Sequence, residues 1–432
     1  MAMGDYDLVV VGHGTRAFAL ARKARKLKAR VGLITSVHPW DRAMIEAVID
    51  RVRLAPNTLF PTLEALSPLE DLEGLQSSGV DVILSEEITF CDRQTLLVNL
   101  ISNNLSSSSQ NRRKLKSRRF VIVKDVSPPL RKIIGLNEIG YLTYDSLFKL
   151  LESSNLDALD ALTILGGDSL SCAIAQLLHN LGVKVKIMSE SQVLPEFDLG
   201  VARILQAHLE IQGIEILTGC LVTAVSDQKL WITTSLGTST LDRDRGEYIL
   251  LPSFNNSHDL NWAGAEIKVK DGEILLNSKL QTTNSHIYLC HQFRDIDIIL
   301  KNCLFWAIAT SQPEIPSALC LTIPVVASIG ENEIAARLRY GKDLQILQGY
   351  EQGDNLQFSK VLYRSNGQIV GAHLVGDRAE ELLASVAIMM ERKLKVSELM
   401  GIEVGALSTL CQEISANLWA KNWRSFWFRL FC

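Results

Sequence analysis

Leu8-Val9-Val10-Val11-Gly12-His13-Gly14-Thr15-Arg16-Ala17 (LVVVGHGTRA) decides the fold. An apolar run from Asp7 to Val11 stops at two glycines one residue apart, Ala17 to Lys28 then has helical composition, and Val31 to Ile34 is a second apolar run. Strands buried on both faces read as unbroken apolar runs, so the order is strand, tight turn, helix, strand, with a parallel sheet and a crossover helix. The order returns further along. Leu162 to Leu165 is a strand, Gly166-Gly167 a turn, Ser169 to Leu181 a helix, Gly182 a stop and Val183 to Met188 another strand. Two mononucleotide-binding patterns in one chain predict an α/β fold with two doubly wound, Rossmann-like dinucleotide-binding domains.

The rest of the chain is consistent with this. At 432 residues it is too long for one core and suits two or three domains. Hydrophobic residues at 47%, charged residues at 21% and only 11 prolines describe a globular protein rather than a disordered one. A net charge of -4 argues against a dedicated nucleic-acid binder, whose affinity rests on a basic surface. No two of the eight cysteines stand at C-x-x-C spacing, so neither a metal site nor a redox pair is expected from spacing. With no secretory pattern at the start and no spanning apolar run, a cytoplasmic location with reduced thiols is expected.

Between the two turns, Ser102 to Arg119 is serine-rich and basic and reads as an exposed loop. Leu217 to Leu250 alternates like antiparallel strands. From Lys360 to Leu374 two strand-like runs flank Asn366-Gly367, a hairpin signal, and a helix is expected from Arg378 to about Glu391.

In this order and spacing the chain resembles the flavin-dependent pyridine nucleotide-disulfide oxidoreductases, of the dihydrolipoamide dehydrogenase and mercuric reductase kind. Besides the two turns, the likeness rests on Gly135-Leu136 with Tyr141-Leu142-Thr143, on Ala175-Gln176-Leu177 before Leu181-Gly182, and on Leu280 to Asn284 with Ile287-Tyr288. Ser328-Ile329-Gly330 and Ile369-Val370-Gly371-Ala372-His373 extend it to the C-terminal part. The resemblance implies an FAD-type domain at 1–150 with 251–320, an NAD(P)-type domain at 151–250 and an α+β dimerisation domain at 321–416. It also implies a homodimer in which one subunit lends an acid-base His to its neighbour.

A diphosphate sits on a helix N-terminus because free N–H groups and the helix dipole favour negative charge, and glycines let the backbone come close. Gly12, Gly14 and Ala17 meet that demand for FAD. At the end of the second strand Thr35 stands where an acidic residue would take the adenosine ribose, and the family's Gly-Asp pair falls at His291-Gln292, with Gln292 left to bond a hydroxyl. The second turn, Gly166-Gly167-Asp168, puts a carboxylate where the pyrophosphate would approach. Asp168 is read as a helix cap and NAD(P) is not expected there; Ser189 and Glu190 read as loop residues.

The family's dithiol needs C-x-x-x-x-C on the helix after the second strand, yet Met1 to Phe90 holds no cysteine. Asp41, Arg42, Glu46 and Asp50 stand in that region and read as a solvated helix face. The family's His-Pro-Thr-Leu-Ser-Glu-like segment falls at Leu407 to Glu413, without a His, and Cys411 reads as a small buried residue. Asn417 to Cys432 forms an amphipathic aromatic and basic tail. If helical it puts Trp419, Trp423, Phe426 and Leu430 on one face with Trp427 beside them and Arg424 off the stripe, suiting the dimer partner, a foreign protein or a peripheral membrane contact.

The resulting expectation is a degenerate member: a homodimeric, non-catalytic interaction or assembly protein, with FAD binding open and metal absent. Two alternatives stand beside it. One is a residual FAD-dependent NAD(P)H oxidoreductase acting on a non-disulfide acceptor, and the other is a nucleotide-binding sensor.

Overall fold

The computed structural model describes residues 5–399 apart from 37–39, 66–67, 86, 101–111, 124–131, 154–158, 244–246, 255–259, 271–272, 312–314 and 352–356. The first turn lies at the carboxyl end of Leu8–Val11, the middle strand of a five-stranded sheet. The strand order is Ile287–Cys290, Phe120–Val123, Leu8–Val11, Val31–Thr35, Asp81–Leu84, and every pairing is parallel. All four residues of Leu8–Val11 are buried, as a strand covered on both faces requires. The helix Gly14–Lys26 packs on this sheet through Ala17, Leu20, Ala21 and Ala24, all fully buried, and its small side chains allow close approach. Because the chain leaves the middle strand in one direction and returns on its other side, the turn sits at a switch point of strand order, where open parallel sheets leave a crevice.

The second pattern repeats this on four parallel strands, ordered Glu215–Leu217, Lys184–Met188, Ala161–Ile164, Tyr248–Leu250, with the helix Ser169–Asn180 rising from the second turn. The alternation expected at Leu217 to Leu250 is an antiparallel meander of Cys220–Val225, Lys229–Thr234 and Gly237–Asp242, whereas Tyr248–Leu250 joins the parallel sheet. A five-stranded antiparallel sheet follows, ordered Ser317–Cys320, Val326–Gly330, Ile369–Val375, Gln357–Arg364, Leu344–Glu351. Gly367, at φ 89°, supplies the left-handed residue of the expected hairpin, and the expected helix runs Ala379–Glu391.

One expectation is corrected here. Arg112–Lys116, read as part of a loop, is an edge strand paired antiparallel with Thr95–Asn99, and only Leu115 of its five side chains is buried. Charged side chains on an edge strand discourage pairing with another chain, so a basic run and a strand are compatible.

Lys360 fastens the antiparallel sheet to the second α/β unit. It is 4% exposed, and its ammonium bonds Asp198 Oδ1 at 2.8 Å and Glu333 Oε2. Asp198 caps the helix Leu199–Gln212 and Glu333 opens the helix Glu333–Tyr340, so one buried cation joins two helix N-termini.

Candidate functional site

At the first turn Gly12 has φ 144° and Gly14 φ 78°, conformations that only glycine adopts without strain. A Cβ on Gly12 would lie 2.5 Å from the Val123 carbonyl oxygen, and one on Gly14 would run into the Asp41 side chain. Asp41 was expected on a solvated helix face; it is instead fully buried and lies on the turn. Its carboxylate caps the helix Arg42–Val52 by accepting from Met44 N–H at 2.8 Å, and it accepts from Thr15 Oγ1 at 3.1 Å and from the Thr15 backbone N–H. One carboxylate thus satisfies the N-termini of two helices, the place where a dinucleotide's diphosphate would lie. Burial pushes its pKa up, opposed by these hydrogen bonds and by the Arg16 guanidinium.

Arg16 is itself buried and donates to the His291 carbonyl, which ties the first turn to the end of the strand Ile287–Cys290. Beyond that strand the N–H groups of His291 and Gln292 both donate to Asp295 Oδ2, at 3.0 and 2.9 Å. The Gln292 side chain is exposed. Thr35 ends the strand Val31–Thr35, and Trp40, just before Asp41, packs on Phe148 at 5.5 Å between ring centroids, in the core of the second α/β unit. Both are buried, and neither Thr35 Oγ1 nor Trp40 Nε1 makes a hydrogen bond. Leaving such groups unsatisfied costs about 1–3 kcal/mol each.

The second turn is held by more of the chain's own groups, although the buried Ser253 hydroxyl nearby is unpaired. Asp168 caps the helix Ser169–Asn180, as expected, accepting from Ser171 N–H at 2.7 Å and from the Tyr144 hydroxyl at 2.7 Å. A second carboxylate, Glu196, accepts from Ser169 N–H at 3.1 Å. Arg42 donates to Ser169 Oγ at 2.9 Å and to Glu46 at 2.7 Å. Burial raises the Glu196 carboxyl, and the neighbouring Asp168 adds to the rise; burial and then Asp168 hold the Tyr144 phenol well above its ordinary range. A Cβ on Gly167 would lie 3.1 Å from Ser189 Oγ and from Val193 Cα. Ser189, expected as a loop residue, is buried against this turn.

Among the described cysteines only Cys91 is exposed. Burial pushes the Cys290 thiol up to about 12 and raises those of Cys172, Cys303 and Cys320 as well, so these are packed thiols rather than nucleophiles. No group of three or more metal-ligating side chains occurs among the described residues, and no helix there is long and apolar enough to cross a membrane. Leu407 to Glu413, Cys411 and the tail residues Trp419, Trp423, Arg424, Phe426 and Trp427 lie outside the described residues.

Gly12, Gly14, Ala17 and Thr35 are therefore brought to one crevice, Gly166 and Gly167 to another, and Gln292 to the rim of the first. Sequence reading missed Asp41 and Arg16 at the first turn and Tyr144 and Glu196 at the second. Asp41 alone carried a signal, an Asp directly ahead of the apolar helical pattern Ala43-Met44-Ile45.

The residues fit an FAD-like dinucleotide at its adenosine end, where the Thr35 hydroxyl has a hydrogen bond to give. At its diphosphate end the glycines leave the backbone bare, Arg16 supplies a cation, and a neutral or turned Asp41 removes the charge conflict. The second turn, with two carboxylates on one helix N-terminus, does not fit a dinucleotide diphosphate.

The family model described as pyridine nucleotide-disulphide oxidoreductase matches residues 6–294, and the model of that family's dimerisation domain matches residues 316–410. A mercuric reductase of Staphylococcus aureus is 25% identical over 92% of this chain and 79% of its own length. A glutathione reductase of Burkholderia cepacia is 22% identical over 95% and 97%. Among solved structures, the Cu(II) complex of the HOCl-induced flavoprotein disulfide reductase RclA from Escherichia coli superposes with TM-score 0.76 at 18% identity, covering 96% of this chain and all of that one. That likeness establishes the fold. Relatives named for reductase activities overturn the expectation of a non-catalytic interaction or assembly protein.

Proposed function

The chain belongs to the pyridine nucleotide-disulphide oxidoreductase family, and from that premise we propose that it is an FAD-dependent NAD(P)H oxidoreductase whose acceptor is not a disulfide. The observation that carries the flavin half is the Gly12-His13-Gly14 turn at a helix N-terminus, with the buried cation Arg16 on that helix and the unpaired Thr35 hydroxyl at the end of the next strand. The acceptor follows from the cysteines: none precedes Cys91, so the helix Arg42–Val52 offers no dithiol to exchange with a disulfide. The mercuric reductases among the relatives are, by name, reductases of a metal ion, and an acceptor of that class, or a quinone, needs no exchange step with a substrate disulfide.

When bound, FAD supplies a two-electron acceptor that returns electrons singly or in pairs. The chain's own residues bind and orient. Thr35 would bond the adenosine end, the N–H groups of the Gly12 to Ala17 turn would receive the diphosphate, and Arg16 would balance its charge. Asp41 would have to release the helix N-termini, or become neutral, for a diphosphate to bind there. Gln292, exposed at the rim, would bond a hydroxyl of the ligand. For NAD(P)H to act as donor, Asp168 and Glu196, which hold the second turn here, would have to release its helix N-terminus, as Asp41 would at the first. The match to the dimerisation-domain model supports a homodimer, and the division expected from sequence is kept as a proposal: 1–150 with 251–320, 151–250, and 321–416.

The test is the visible spectrum of the full-length protein purified natively, before and after anaerobic addition of NADH or NADPH. A flavin spectrum bleached by either supports the reading. A flavin spectrum that neither bleaches moves the protein to the sensor reading, and a colourless protein that does not bind added FAD overturns the proposal.

A further inference from the structure

The helix Asp295–Leu304 ends in a short loop that holds large apolar side chains out in water. Phe305, Trp306 and Ile308 are 60%, 82% and 78% exposed. The loop is fixed in place. Asn302, 1% exposed, donates to the Ala309 carbonyl at 2.8 Å and accepts from Ala309 N–H at 2.9 Å, Ile308 N–H closes on the Trp306 carbonyl at 2.8 Å, and Ser311 N–H reaches the Ser278 carbonyl at 2.7 Å. A buried amide holding an apolar tip in this way keeps it from folding back onto the protein. Such display is unfavourable in water unless something covers the tip.

The surroundings are basic. Arg118 and Lys301 line a surface cavity of about 740 Å³ together with Leu304, Phe305, Trp306, Ile308 and Ala309. The strand leading to Arg118 exposes Arg112, Lys114 and Lys116. The acidic residues of the helix, Asp295 and Asp297, lie at its opposite end, where Asp297 pairs with Lys23 at 2.9 Å.

We propose that Phe305, Trp306 and Ile308, flanked by Arg118 and Lys301, seat this protein on an anionic lipid surface. Aromatic and branched side chains fit the boundary between headgroups and acyl chains, and the cations above them face lipid phosphates, so shape and charge agree. A specific protein interface engages about 20–30 residues a side, far more than this tip provides. The surface is separate from both glycine turns, and its test reads no enzymatic activity.

The experiment is flotation of the full-length protein with vesicles of phosphatidylcholine alone or mixed with phosphatidylglycerol, at low and raised salt. The expected result is retention on the mixed vesicles only, released by salt, and lowered about tenfold or more in a Trp306→Ser/Ile308→Ser variant and also in Arg118→Glu. The substituted side chains are exposed, and an unchanged thermal midpoint confirms that the variants are folded. Three results overturn the proposal. The wild type binds neither vesicle; or the double variant floats like the wild type, which assigns binding to another segment such as Asn417 to Cys432; or the double variant changes the sedimentation of the lipid-free protein, which makes the tip a contact between subunits.

Discussion

The two glycine turns begin alike and end differently. Each follows a buried parallel strand, opens a helix and has its first N–H groups taken by carboxylates of the chain itself. At the first turn one carboxylate serves two helices, a cation lies beside it and the buried Thr35 hydroxyl stays unpaired. At the second, two carboxylates, a tyrosine hydroxyl and two serines close a satisfied network. A ligand entering the first crevice displaces one carboxylate and meets the unmade hydrogen bond of Thr35; one entering the second must displace two carboxylates tied to a tyrosine and two serines. The same local fold can therefore remain receptive at one site and shut at another.

The glycines give the largest expected difference. Gly12→Ala combines a φ of 144° with a 2.5 Å approach to a carbonyl oxygen, and is expected to destabilise by about 3 kcal/mol or more. Gly167→Ala meets its neighbours at 3.1 Å without a positive φ and is expected to lose about 1 kcal/mol. Urea unfolding of the two variants decides, and equal losses would break the comparison. Next comes charge: Asp41→Asn keeps a helix cap and removes the negative charge, and should tighten FAD binding about tenfold, read by fluorescence titration. Asp168→Asn alone should leave NADPH binding unchanged, because Glu196 still holds the helix.

A smaller effect follows from pH. Burial raises the Asp41 carboxyl in the folded state, so folding favours its protonated form. The group's contribution to stability is then greatest below the ordinary carboxylate value, about pH 4, and is lost as pH rises from there through the raised folded value. Asp41→Asn should lack that decline, so its thermal midpoint relative to wild type should rise with pH. A difference independent of pH would show that Asp41 ionises as freely folded as unfolded. Smallest of all, Gln292→Ala should change stability by under about 0.5 kcal/mol, since the side chain is exposed; its measurable effect should be a modest loss of FAD affinity.

The parallel sheets were legible because both-face burial writes itself as unbroken apolar runs, and Asp168 was legible as a cap because the rule for caps is local. Asp41 was misread because what buries it is distant in sequence: Thr15 and the Gly14 surface come from another helix. Arg112–Lys116 was misread for a related reason, since an edge strand with one buried residue in five carries almost no alternation to detect. The spare donors at Thr35 and Trp40 could not be read at all, because whether a hydroxyl or indole N–H finds a partner depends on every neighbour at once.

Consecutive residues touch the two crevices: Asp41 lies on Gly14 and Thr15, and Arg42 donates to Ser169 at the start of the second helix. A ligand that turns Asp41 aside at the first helix moves the start of the helix Arg42–Val52 and with it the bond to Ser169. Occupancy at the first turn would then be coupled in free energy to the charge state of the second, equally in both directions. Arg42→Met, which cuts the connection one residue beyond the cap, should make FAD affinity indifferent to whether Asp168 and Glu196 are charged, a thermodynamic cycle that calorimetry can close.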